Sequence, residues 1–159
     1  MAQEAAATEP IITNEMRQLI GWQSEPYTRE VEKGAVRKYA DAIGDPNPLY
    51  RDEEYARKSA YGGLIVPPTF LTTFNPYEHG SKRPTIVHPR RRGGASAGDR
   101  YEYYLPVKVG DTITCQTKVV DIYERDSRTG KLLFSVHEMS FINQHGQLVA
   151  KRRWTSGSF

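Results

Sequence analysis

Cysteine is nearly absent. Cys115 is the only one in 159 residues, so no internal disulfide can staple the fold, which fits a reducing, cytoplasmic setting. Long apolar runs are missing as well, and nothing approaches the ~20 residues of a membrane span. The first stretch, MAQEAAATEPIITNE, has no basic start and no apolar segment, so it does not read as a secretory signal. Cofactor signatures are lacking too. His79, His88, His137 and His145 are scattered without zinc-ligand spacing. The glycine-rich stretch at 93–98 lacks the Lys-Ser/Thr ending of a phosphate loop. No metal and no cofactor are therefore expected. His137 lies mid-strand and reads as a packed or partner-facing residue. Cys115 reads as a buried strand residue, because no neighbouring base marks it as a nucleophile.

What is present describes one soluble globular domain. Hydrophobic residues make up 38% of the chain and charged residues 26%, enough for a core of its own at this length. Residues 1–12 are Ala/Glu-rich and read as a disordered start, with the domain at 13–159. The net charge is +3, but the basic residues are uneven. Lys82, Arg83, Arg90, Arg91 and Arg92 form one cluster, and Lys151, Arg152 and Arg153 another. Three readings stand: nucleic-acid phosphates, a phosphorylated small molecule such as coenzyme A, or a solvated loop and strand face.

The most informative stretch runs from 42 to 74, AIGDPNPLYRDEEYARKSAYGGLIVPPTFLTTF. Pro46 and Pro48 fix two φ angles and push Asp45 and Asn47 away from helical geometry. Two short polar side chains are thus held at a helix end, either as a cap or as an active-site corner. Upstream, Thr13 can cap a short helix carrying Met16, Leu19 and Ile20, with Gly21 as its stop. Tyr27–Val31 reads as a short strand. Ala35, Val36, Tyr39, Ala40 and Ile43 fall at helical spacing over 33–43, with Gly44 placed as a left-handed stop. Asp52 can cap the next helix, which Gly62 and Gly63 end. Pro67 and Pro68 open a further, mostly apolar helix through Phe70, Leu71 and Phe74.

Residues 75–99 read as a long loop with one short strand at 85–88. Beyond Arg100 the chain turns to Thr, Val, Ile, Tyr and Phe. Strands are expected at 101–107, 112–123, 131–143 and 147–154, with turns at 109–111, 126–130 and 143–146, as a four-stranded antiparallel meander. Val119-Val120 and Leu132-Leu133 break the alternation, which implies bulges or burial on both faces. Helices followed by long strands make an α+β fold. One helix covering one sheet face leaves an edge open, so dimerisation is expected.

Four segments resemble the MaoC-like hot-dog dehydratases and hydratases, in particular the N-terminal FAS1-type dehydratase domain found in substrate-holding subunits of mycobacterial 3-hydroxyacyl-thioester dehydratases. They are GDPNPLY at 44–50, YGGLIVPPTFLTTF at 61–74, YEYYLPVKVGDTITCQTKVVDIYER at 101–125 and FINQHGQLVAKRRW at 141–154. The resemblance implies a single hot-dog, a long antiparallel sheet wrapped around a central helix at 67–75. It implies hydration of trans-2-enoyl thioesters to (R)-3-hydroxyacyl thioesters, or the reverse, on coenzyme A or acyl-carrier substrates. Active members carry Asp-x-Asn-Pro-(Leu/Ile)-His, whose Asp and His activate a water, and a backbone N–H at the start of the central helix that holds the thioester oxygen.

This chain keeps only part of that apparatus. Asp45 and Asn47 match, but Tyr50 stands in the His position and Pro68, without an N–H, stands at the oxyanion donor. The resemblance therefore implies a subunit with a remnant pair, Asp45 and Asn47, that supports a catalytic MaoC-like partner in a heterodimer or heterotetramer. The alternative is a non-catalytic, acyl-thioester-binding or scaffolding homodimer. Tyr50, Gly63, Pro68 and Phe70 would shape the acyl site, with Arg83, Arg90, Arg91 and Arg92 on the phosphates of coenzyme A. Neither nucleic acid nor a membrane is expected as a partner.

Overall fold

The computed structural model describes residues 10–75, 84–90, 92–128 and 130–159. Three short α-helices come first: α1 (Asn14–Gln18), α2 (Lys33–Ala42) and α3 (Glu53–Lys58), with strand β1 (Tyr27–Glu30) before α2. The caps expected from sequence are in place. Thr13 accepts from the Met16 amide at the start of α1, and Asp52 accepts from the Tyr55 amide at 3.0 Å at the start of α3. Gly44, at φ +68°, closes α2. Its amide donates to the Asp41 carbonyl and the Asp45 amide donates to the Ala40 carbonyl, the paired bonds of a Schellman stop.

Four long strands follow: β2 (Gly94–Tyr103), β3 (Thr112–Ser127), β4 (Gly130–Ile142) and β5 (Leu148–Ser158). All neighbours are antiparallel, in the order β1-β3-β4-β5-β2. The expected α+β class holds, with β3, β4 and β5 forming a meander. The four-strand meander does not, because β2 lies beside β5 at the far edge instead of beside β3. That strand also begins earlier than expected, inside the stretch read as loop. Its small residues have weak strand preference, but pairing of Gly94–Tyr103 with Ser158–Ala150 supplies the missing order. The short strand expected at 85–88 does not form. A bulge sits at Val119–Asp121, as the Val119-Val120 break implied. At Leu132-Leu133 the ladder is continuous, with Leu133 fully buried and Leu132 half-buried.

The central helix is a single 3₁₀ segment, Pro68–Thr73. Two features keep it short. Pro67 and Pro68 remove amides at its start, and the hydroxyls of Thr72 and Thr73 bond back to the carbonyls of Thr69 and Phe70 at 2.7 and 2.8 Å, competing with α-helical bonding. Its Phe70, Leu71 and Phe74 fill the concave face of the sheet against Ile113, Met139 and Phe141. Edge-to-face ring contacts run from Tyr39 of α2 through Phe70 and Phe74 to Phe141 of β4, at 5.5 to 6.1 Å. Past the end of this helix the sheet is covered differently. Val119, Ile122 and Leu133 pack under Ile11, Ile12, Met16, Leu19, Trp22 and Ile86.

Candidate active site

The 44–52 turn is built by its own side chains. The Asp45 carboxylate accepts the Asn47 amide at 3.0 Å, and the Asn47 carbonyl oxygen accepts the Leu49 amide at 3.0 Å. Both are Asx turns of the kind these residues form readily. Arg51 locks the corner from outside, donating to the Asp45 carbonyl at 2.7 Å and pairing with the Asp41 carboxylate at 3.0 Å. Of the two readings left open by sequence, cap or reactive corner, these bonds show that both side chains support the turn.

Tyr50 follows in the 3₁₀ turn Pro48–Tyr50 and is buried in the main core, 7% exposed. Burial pushes its phenol above the ordinary value, and the nearby Asp45 charge adds to this, opposed by a hydrogen bond from the Asn47 side chain. A phenol so placed holds its proton at neutral pH and is no general base.

The start of the central helix presents acceptors that are already occupied. The Tyr103 hydroxyl donates to the Pro68 carbonyl, and the Tyr39 hydroxyl donates to the Thr69 carbonyl at 2.9 Å. Pro68 itself has no N–H. Beside it opens an apolar groove of about 370 Å³, lined by Tyr61, Ile65, Pro68, Tyr103, Leu105 and Val107. Tyr61, Tyr103, Tyr104 and Leu105 are 36–49% exposed, an apolar patch at the end of edge strand β2.

The remaining expected site residues are dispersed. Phe70 is buried and borders a separate cavity between β1 and α2 with Arg29, Tyr39 and Phe74. Gly63 lines a small cleft beside the Lys33–Glu53 ion pair. Arg90 and Arg92 are exposed on the segment leading into β2. Arg83 and Arg91 lie outside the described residues, as do His79 and residues 1–9. Pro68, Phe70 and Gly63 thus each border a different cavity. Among the described residues no three His, Cys, Asp or Glu side chains gather where a metal could sit, and no helix is long and apolar enough to cross a membrane. Tyr61, Tyr103 and Leu105 were not singled out from sequence; the signal was the Tyr-Tyr-Leu-Pro run at 103–106, more apolar than a strand end leading into a turn requires.

The family described as FAS1-like, dehydratase domain region matches residues 18–152. The chain belongs to this family. A UPF0336 protein from Thermobifida fusca is 40% identical over 102 residues, 62% of this chain and 64% of that protein; this chain thus spans just under two thirds of that relative. A probable enoyl-CoA hydratase alpha subunit from Thermomonospora curvata is 26% identical over 133 residues, 75% of this chain and 42% of that one. Among solved structures, the C-terminally truncated HadBC (3R)-hydroxyacyl-ACP dehydratase complex from Mycobacterium tuberculosis matches with a TM-score of 0.69 at 22% identity, covering 87% of this chain and 96% of that one. At that identity the likeness shows the fold: a MaoC-like hot-dog, as the sequence resemblance implied. The family match covers both the Asp45–Tyr50 turn and the Pro68 helix start.

Proposed function

We propose that this chain is the non-catalytic subunit of an (R)-specific enoyl-thioester hydratase or 3-hydroxyacyl-thioester dehydratase. It supports a MaoC-like subunit that carries the full Asp-x-Asn-Pro-x-His motif, and the pair acts on trans-2-enoyl or 3-hydroxyacyl groups borne by coenzyme A or an acyl carrier. The observation that carries the reading is Tyr50. It fills the histidine position with a buried phenol, while the Asp45 and Asn47 side chains each accept a backbone amide of the turn. Pro68 removes the second requirement, an N–H for the thioester oxygen.

Two surfaces support a partner. Edge strand β2 is exposed over nearly its whole length, and an unpaired edge is a template for another strand. The apolar groove at Pro68, Tyr103 and Leu105 lies at the end of that strand and would be completed by the partner, forming the wall of an acyl channel. The test is co-expression with a MaoC-like subunit holding the complete motif. The reading expects a stable complex that hydrates crotonyl-CoA and keeps its activity when Asp45 of this chain becomes Ala. Saturable acyl-CoA binding by a homodimer, with no turnover alongside any such partner, would favour the scaffolding alternative instead.

A further inference from the structure

We draw no further inference here: the strongest candidate, the cavity of about 520 Å³ that β1, α2 and the central 3₁₀ helix enclose, with Arg29, Glu30, Glu32 and Lys38 beside Phe70 and Phe74 in its lining, carries nothing because charges of both signs border it and nothing in the structure shows what would occupy it.

Discussion

Asp45 Oδ1 sits 3.0 Å from the Asn47 backbone nitrogen and accepts its hydrogen. A carboxylate committed to the amide two residues on is holding a turn, and this sets the first prediction. Asp45→Ala should cost about 1 kcal/mol of stability, the usual net worth of such a bond, while Asp45→Asn, which keeps an acceptor oxygen, should cost less. Urea unfolding midpoints of the two variants check the order. Equal stability with a large loss of activity in the complex would return Asp45 to the chemistry.

Tyr50 sets the second. Tyr50→His restores the Asp-x-Asn-Pro-x-His pattern, yet the lone chain should remain at least ~10²-fold below an active complex in crotonyl-CoA hydration, because Pro68 still offers no N–H and one missing oxyanion donor alone costs that much. Loss of the enoyl absorbance measures it. Robust turnover by the single variant would show that the oxyanion is held by some other group.

The third concerns the exposed groove. Leu105 is 39% exposed beside Tyr103 and Pro68. Leu105→Glu should weaken co-purification with the catalytic partner at least ~10-fold, about 1.4 kcal/mol, since a carboxylate would have to be desolvated against apolar surface. An unchanged melting temperature of the free chain separates this from misfolding. Intact assembly would move the interface elsewhere.

The fourth is a pH dependence. Burial pushes the Tyr101 phenol from 10.0 to about 12 and the Cys115 thiol from 9.0 to about 12. Each raised value means that the unfolded state loses its proton first. The stability they contribute is complete below about pH 9 and is lost as pH rises toward 12. Urea midpoints should fall through that window, with a shallower slope above pH 10 in Tyr101→Phe. Cys115 should also resist thiol reagents until the chain unfolds.

Particular elements show what the sequence made legible. The Gly44 stop and the Thr13 and Asp52 caps depend on contacts within a few residues, and each was readable from residue type and spacing; the Val119 bulge was readable from the break in alternation, although its partners His137 and Val136 lie on the next strand. Strand β2 was not. Its first five residues, Gly-Ala-Ser-Ala-Gly, are ordered by pairing with a segment more than fifty positions away, which no local preference encodes. The central helix was placed correctly but read as longer than its hydroxyls permit. The Asp45–Tyr50 turn could be read because it is contiguous. The groove at Tyr61, Tyr103 and Leu105 could not, since it assembles from segments that meet only in the folded sheet.

The central claim is that this hot-dog has a place in hydro-lyase chemistry without performing it alone. The most direct measurement is the kcat/KM for crotonyl-CoA hydration by the purified chain and by its complex with a MaoC-like subunit. The account predicts a deficit of at least ~10³-fold for the lone chain, from the missing acid/base group and the missing oxyanion donor together. Equal activity of the two preparations would contradict it.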